Sequence, residues 1–131
     1  MELSVRYFIL CDDVQADPND LLRLNVLGLM THIRSKRIPP FPVVRPRICV
    51  LVLLMGFQGP AELSLRIVQS GTHRIVFRNQ PRRLQFVSTP QEAVGIKFYV
   101  NNCAFPKEGV CWIDLLDGGA VVARQALSLT A

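Results

Sequence analysis

The sequence predicts an all-β protein, in which two antiparallel sheets with about eight strands in total pack face to face as an immunoglobulin-like β-sandwich. Three observations predict this fold. Apolar side chains recur at every second position in most segments, as in strands with one buried face. These segments follow one another at spacings of roughly ten to fifteen residues. The nine prolines are expected between the segments, where no ladder hydrogen bond is lost.

The length bounds the number of domains. At 131 residues the chain has the size of one domain, and half of its residues are hydrophobic, which is enough for a single buried core. Residues 1–131 are therefore predicted to form one β-sandwich domain.

The individual strands follow from the alternation. The first is predicted near the N-terminus, where residues 3, 5, 7, 9 and 11 are apolar. Residues 47–57 are apolar on both faces, which is typical of a central strand covered on each side. Further strands are predicted at 63–67 and 96–100, and a short edge strand at 73–77. The side chains expected on the inner faces are Val5, Tyr7, Ile9, Val26, Val50, Val52, Leu65, Ile67, Phe98, Ile113 and Leu127.

The clearest local signal is a hairpin in FPKEGVCWIDLLDGGAVVARQALSL, residues 105–129. In its first strand Cys111, Ile113 and Leu115 share one face, with Trp112 and Asp114 on the other. Residues 117–119, Asp-Gly-Gly, can adopt the positive φ of a tight turn. The returning strand is expected to place four side chains on one face: Val121, Ala123, Leu127 and Leu129.

The segment NDLLRLNVLGLMTHIRSKR, residues 19–37, has two interpretations. As a helix it would be capped by Asn19 or Asp20 and would end in a basic turn. As a strand it would place every second residue from Leu22 to Met30 on one face, with Gly28 at a bulge or a close approach. The pattern alone leaves both interpretations open.

Four segments carry a resemblance to other proteins: YFILCDDV (7–14), NVLGLMTHI (25–33), PPFPVVRPRICVLVLL (39–54) and the C-terminal hairpin. Together they resemble a bacterial family of small, uncharacterised proteins of immunoglobulin-like sandwich fold. In that family a strand ends in a Cys-Asp-Asp-like corner, and the next strand carries an Asn-Leu-Ile-Gly-like core. Cys111, with Trp112 beside it, stands where the family has an aromatic residue. The resemblance implies a strand at residues 21–33 and a fold, but no active site.

The charge is uneven along the chain. The net charge is +5, and residues 21–91 carry eleven Arg or Lys against the single acid Glu62. Guanidinium groups suit phosphate and carboxylate well, so anion or nucleic-acid binding is one hypothesis. It rests on two basic segments, with the residues Arg34, Lys36, Arg37, Arg78, Arg82 and Arg83. The alternative is a solvated surface, which is favoured because no aromatic residue interleaves the charges of RNQPRR.

Four carboxylates, Asp12, Asp13, Asp17 and Asp20, lie within nine residues and could hold a hard metal ion such as Ca²⁺. A metal-dependent hydrolase or metal-binding protein that uses the Asp12/Asp13 loop is therefore a further hypothesis. The spacing is not that of an EF-hand, and such acids more often stabilise turns. We therefore predict no bound metal.

No catalytic or cofactor motif is present. The four cysteines form no CxxC pair, His32 and His73 have no nucleophile motif around them, and the glycine motifs that bind phosphates are missing. Both histidines are expected at the surface or at strand ends. The sequence therefore predicts a non-enzymatic protein with no catalytic residue and no cofactor.

The longest apolar run, ICVLVLLM at residues 48–55, is too short to span a membrane as a helix. The N-terminus lacks the positive charge and the cleavage site of a signal peptide. We predict a cytoplasmic protein with no membrane partner.

Protein binding is the leading functional hypothesis. Five apolar side chains are expected on outward sheet faces, where polar groups are usual: Phe8, Leu10, Leu27, Leu29 and Leu54. Such a surplus is typical of an oligomer interface. The sequence therefore predicts a protein-interaction module that self-associates as a homodimer, through an apolar sheet face or an edge strand. Nucleic acid is the less favoured partner.

Overall fold

The computed structural model of the protein describes residues 3–55, 58–87 and 93–131, and every regular element in these ranges is a strand. The predicted all-β class is confirmed, whereas the predicted number of about eight strands is wrong, because eleven form within the described residues. They are β1 (Ser4–Cys11), β2 (Asp13–Asp17), β3 (Asp20–Leu27), β4 (His32–Arg34), β5 (Val43–Met55), β6 (Gln58–Gln69), β7 (Ile75–Arg78), β8 (Arg82–Val87), β9 (Ala93–Phe105), β10 (Gly109–Asp117) and β11 (Ala120–Thr130). Among the described residues, no helix is long and apolar enough to cross a membrane.

The strands form three sheets. A three-stranded antiparallel sheet has the order β1-β5-β9. A six-stranded sheet has the order β4-β11-β10-β6, and β7 and β8 pair one after the other with the remaining edge of β6. In this sheet β4 runs parallel to β11, and the other pairs are antiparallel. The third sheet is the small hairpin of β2 and β3.

One apolar core lies between the two large sheets, an arrangement compatible with a β-sandwich. Seven of the side chains predicted to face inward are buried in it: Val50, Val52, Leu65, Ile67, Phe98, Ile113 and Leu127. Val5 is half-buried against the same core. For Tyr7, Ile9 and Val26 the inward prediction is wrong, since Tyr7 and Val26 are exposed and Ile9 packs in a second cluster.

Strand β5 is the predicted central strand with two apolar faces, and this prediction is confirmed for residues 49–55; Phe57 lies outside the described residues. Its even-numbered residues, from Ile48 to Leu54, face the core. Its other face carries Cys49 and Leu51, which form the second cluster with Cys11 and with Val14 of the β2–β3 hairpin. The hairpin therefore covers the outer face of β5.

A bulge in β1 reverses the facing that simple alternation predicts. The register with β5 shifts between Val5 and Tyr7, so the residues that follow exchange faces. Leu10 is consequently buried, at 1% exposure, Phe8 packs against the core, and Tyr7 is 53% exposed. The predicted outward facing of Phe8 and Leu10 is therefore wrong.

Leu54 is also misassigned in the predicted outward set. It lies on β5 at the same parity as Val50 and Val52, and like them it is buried, at 1% exposure. Leu27 and Leu29 are exposed, at 42% and 64%. The five predicted interface side chains thus do not form one surface.

Residues 19–37 form strands, and the helical interpretation is wrong. The predicted strand at 21–33 is interrupted, since β3 ends at Leu27 and β4 begins at His32. Gly28 lies at the break with φ +66°, a left-handed conformation that favours glycine. A Cβ atom at this position would collide with the carboxylate of Asp12. The close approach predicted for Gly28 is confirmed.

Two prolines lie inside strands, where none was predicted. Pro46 is in β5, and Pro60 is in β6. Both occupy strand ends with one paired neighbour, because β1 pairs with β5 only from Cys49 onward and β10 pairs with β6 only from Leu63 onward. A missing N–H costs no ladder hydrogen bond on an unpaired side.

The C-terminal hairpin forms as predicted from β10 and β11, with Gly118 and Gly119 in the turn at positive φ. A register shift near Val121 moves this residue away from the predicted inward face, and it is 46% exposed. The four cysteines are buried and free. Burial raises the pKa of Cys103 and Cys111 to about 11, so both thiols stay protonated and act as small apolar groups.

The corner at Gly28 yields a stability prediction. Gly28→Ala combines the cost of a left-handed alanine with displacement of Asp12 from its ion pair with Arg45, so we expect the free energy of unfolding to fall by about 2 kcal/mol. Gly118→Ala is the control, since Gly118 has φ +58° but open space around its Cβ position. Its expected loss is about 1 kcal/mol. Equal losses in urea titrations of the two variants would contradict the close approach.

Candidate functional site: an open groove between two sheet edges

Strand β9 is an edge strand with a long unpaired side. It pairs with β5 over residues 93–105, and among the described residues no strand pairs with its other side. Strand β8 likewise pairs only with β6, at the edge of the six-stranded sheet. Strand β7 pairs with the same side of β6 as β8 does, and β7 contacts β9. The β8 and β9 edges therefore lie at the same rim of the molecule. The rim therefore exposes unpaired backbone from both large sheets.

A groove of about 590 Å³ runs between β8 and β9. We call it the β8–β9 groove; it is lined by Arg82, Leu84, Gln85, Phe86, Val94, Gly95, Ile96, Lys97 and Tyr99. Its floor is apolar, because Phe86 and Ile96 belong to the core and Leu84 and Val94 pack against it. Its margin carries the cations of Arg82 and Lys97. The groove thus combines apolar pockets with positive charge.

The backbone of β9 directs toward this groove hydrogen-bonding groups that no strand of the described residues pairs. The C=O of Lys97 accepts a hydrogen bond from the Arg82 guanidinium at 3.1 Å, so the peptide groups of Lys97 face the unpaired side. In an antiparallel pair the direction of these groups alternates. The N–H and C=O groups of Gly95 and Tyr99 therefore also face the unpaired side, at alternate positions along the edge.

The sequence of β9 explains this geometry. Ile96, Phe98 and Val100 alternate with Gly95 and Lys97, so the apolar side chains enter the core and the others stay outside. Residues 93–105 contain one charged residue, Lys97, and no proline. The edge thus lacks the prolines and the runs of charge that usually block strand addition.

The carboxylates of Asp12 and Asp13 are engaged by protein groups. Asp13 accepts hydrogen bonds from the Val14 N–H at 2.8 Å and the Tyr99 hydroxyl at 3.1 Å, and it pairs with Arg47 at 2.9 Å. The Val14 N–H, followed by Tyr99 and Arg47, holds the pKa of Asp13 below its usual value. Asp12 pairs with Arg45 at 3.3 Å.

The four predicted aspartates do not converge. Asp17 and Asp20 face each other at the turn end of the β2–β3 hairpin, whereas Asp12 and Asp13 lie at its base. Asp17 accepts a hydrogen bond from the Asn19 N–H, which is the turn-stabilising role expected for such acids. In the described ranges, no three His, Cys, Asp or Glu side chains are grouped closely enough to hold a metal ion.

The two basic segments are not brought together. Arg34 ends β4 at one edge of the six-stranded sheet, with Lys36 and Arg37 exposed after it. The other segment, Arg78, Arg82 and Arg83, belongs to β7 and β8 at the opposite edge. Strands β11, β10 and β6 lie between them, which corresponds to a separation of roughly 19 Å. The six residues therefore do not form one anion-binding rim.

Some of these arginines have local partners. Arg83 pairs with Glu62 at 3.8 Å, and Arg37 donates to the C=O of Pro42 at 3.4 Å. Arg82 lies over the Phe98 ring at 5.2 Å in addition to its bond to the backbone of β9. Of the six predicted residues, only Arg82 lines the β8–β9 groove.

The histidines are exposed, as predicted. His32 on β4 makes a 2.6 Å hydrogen bond with the Thr130 hydroxyl, and His73 lies in the turn before β7.

Asp114 is a buried carboxylate that the sequence interpretation treated only as an outward residue. It is fully buried in the outer face of the six-stranded sheet, between Arg66 at 3.0 Å and Arg124 at 2.7 Å. The register explains the triad, because Arg124, Asp114 and Arg66 stand side by side on β11, β10 and β6. Burial alone would raise the pKa of Asp114, but the hydrogen bonds from the two arginines outweigh it and the pKa lies below its usual value. The triad ties three strands together.

Removal of this carboxylate is predicted to be costly. Asp114→Asn should lower the free energy of unfolding at pH 7 by about 2–4 kcal/mol, because two guanidinium groups lose a buried charged partner. Asp12→Asn is the control, with an expected loss below about 1 kcal/mol for an exposed pair.

The difference in the free energy of unfolding between the wild type and Asp114→Asn should depend on pH. The lowered pKa means that the contribution of Asp114 is complete above about pH 4, the unfolded value, and is lost as the pH falls through the folded pKa. Urea titrations of the wild type and Asp114→Asn across this range measure it. A difference that stays constant down to strongly acidic pH would contradict an ionised Asp114.

The β8–β9 groove itself was missed in the sequence. The alternation in residues 94–100 predicted a strand, but the pairing of β5 with β9 and of β6 with β8 depends on contacts distant in sequence. The alternation of apolar residues within one strand does not predict whether that strand lies at the edge of a sheet.

No curated protein matches the chain. A family model, described as a family of unknown function and designated DUF6941, matches residues 6–130. Because the match spans nearly the whole chain, the protein belongs to the DUF6941 family of unknown function.

Proposed function

We propose that this protein is a non-enzymatic protein-interaction module that binds by strand addition to the free side of β9, and that the added strand is β9 of a second copy. The observation that carries the proposal is the row of outward-facing peptide groups at Gly95, Lys97 and Tyr99, set above an apolar groove. In strand addition the backbone hydrogen bonds supply affinity, and pockets for alternate side chains supply specificity. Both components are available at this rim.

A second copy fits the edge by symmetry. Two copies of one strand pair antiparallel about a two-fold axis, so each edge serves as its own partner. A pairing centred on Lys97 would place two ammonium groups opposite each other, which is unfavourable. A pairing centred on Ile96 instead places Gly95 of each copy opposite Lys97 of the other, and it keeps outward peptide groups opposite outward peptide groups.

The residue at the edge that competes with this pairing is Arg82. The Arg82 guanidinium donates a hydrogen bond to the C=O of Lys97, with an N···O distance of 3.1 Å. The Arg82 side chain must turn away before a strand can be added. Arg82 is exposed, so this rearrangement costs little. Among the described residues of this edge, the proposal therefore requires a side-chain movement of Arg82.

The proposal also includes the type of sandwich, the source and the compartment of the protein. The face-to-face packing of the two large sheets supports an immunoglobulin-like sandwich as the scaffold, and the sequence favours a bacterial, cytoplasmic protein. Anion or nucleic-acid binding has less support, because the two basic segments lie at opposite sheet edges. A hydrolase or metal site at Asp12 and Asp13 has less support, because both carboxylates are paired with arginine.

Sedimentation velocity over a range of protein concentrations tests the proposal. We expect a monomer–dimer equilibrium that Val94→Lys weakens by about tenfold or more, because it places a charge in the apolar floor of the groove. Val44→Lys is the control, since Val44 is exposed on β5 and lies outside the groove. Circular dichroism and urea titration check that both variants fold.

Two results would contradict the proposal. The first is a wild-type chain that remains monomeric at the highest concentrations. The second is an equal effect of the two lysine substitutions, which would place the self-association surface away from β9.

A further inference from the structure

A second groove lies on the outer face of the three-stranded sheet, and it shares Gly95 and Lys97 with the β8–β9 groove. It is formed where the β2–β3 hairpin crosses the sheet, and its volume is about 340 Å³. We call it the hairpin groove; it is lined by Val14, Ala16, Leu24, Leu51, Leu53, Ala93, Gly95 and Lys97. This volume is within the range of small-molecule sites, roughly 300–1,000 Å³. Strand addition at β9 leaves this groove unexplained.

The walls of the hairpin groove are aliphatic. Leu51 and Leu53 of β5 form its base, and Val14 and Leu24 of the hairpin form its sides. Gly95 keeps the space open, because a Cβ atom there would meet nothing closer than a methyl group of Leu51 at 4.0 Å. Leu24 is 43% exposed at the groove, so an apolar ligand would remove additional leucine surface from water.

One cation stands in this otherwise apolar lining. The ammonium group of Lys97 donates to the C=O of Val14 at 3.4 Å and lies 5.9 Å from the centre of the Tyr99 ring. Two of its three N–H donors are therefore not used by that bond. The ammonium lies where the groove meets the polar cluster around Asp13.

The cluster around Asp13 carries one more cation than it has carboxylates. Arg45 pairs with Asp12 and Arg47 pairs with Asp13, whereas Lys97 forms no ion pair with the carboxylates in the described part of the chain. The Tyr99 hydroxyl already donates to Asp13. Three cations against two carboxylates give the cluster a net charge of +1, which suits a single negative charge on a ligand.

We propose that the hairpin groove binds an aliphatic carboxylate, with its hydrocarbon chain between the hairpin and β5 and its carboxylate on Lys97. The leucine and valine walls select a chain without polar groups, since each such group would lose its hydrogen bonds to water. The excess of one positive charge in the cluster selects one negative charge at one end. A dianion or a polyanion would bring charge that no group in the lining matches.

Fluorescence titration of the full chain with cis-parinaric acid, a fatty acid that is fluorescent without a polar label, tests this site. The titration is made at protein concentrations below those at which sedimentation velocity detects self-association, so that the result is independent of strand addition at β9. We expect saturable binding that decanoate reverses. Decanol should compete about tenfold less well, because it lacks the charge that Lys97 matches.

Two variants and a control locate the site. Gly95→Val fills the groove with a side chain that strands favour, and it should abolish binding without loss of stability. Lys97→Met should raise the inhibition constant of decanoate about tenfold and leave the inhibition constant of decanol unchanged. Lys107→Met removes an exposed lysine from the loop after β9 and should change nothing.

Three results would overturn the proposal: absence of saturable binding, equal competition by decanoate and decanol, or unchanged binding in a folded Gly95→Val variant. Loss of self-association in the Val94→Lys variant with fatty-acid binding retained would separate the two sites, and it agrees with both proposals.

Discussion

The structure depends on the burial of both faces of β5. Residues 48–54 are apolar at every position, so neither face of this strand can be left in water. One face is buried against the six-stranded sheet through Val50 and Val52, and the other is buried against Val14 of the β2–β3 hairpin. The β2–β3 hairpin is therefore needed to bury the outer face of β5. Its corner is fixed by Gly28, which lies against Asp12.

Both candidate sites follow from this constraint. Because β5 takes the central position of a three-stranded sheet, β9 is left at an edge, with Gly95 and Lys97 on its outer face. The hairpin covers the Cys49 and Leu51 part of the outer face, and the hairpin groove remains beside Leu53. The β8–β9 groove arises along the unpaired edge of β9, where the edges of the two large sheets meet.

The sequence predicted what depends on local alternation. The all-β class, the central two-faced strand and the C-terminal hairpin all follow from a period of two. It failed where one residue breaks that period, as at the bulge between Val5 and Tyr7, because a bulge depends on the partner strand and reverses every facing after it. The Asp114 triad and the β8–β9 groove could not be predicted, because they require the register of strands far apart in the chain.

Amide hydrogen exchange of β9, followed by NMR, tests the central claim most directly. If β9 pairs on one side only, the N–H groups of Ile96 and Phe98 are protected in dilute solution, whereas those of Gly95, Lys97 and Tyr99 exchange rapidly. These three outward N–H groups are expected to become protected as the protein concentration rises. Uniform slow exchange across residues 95–99 in the dilute monomer would contradict the central claim.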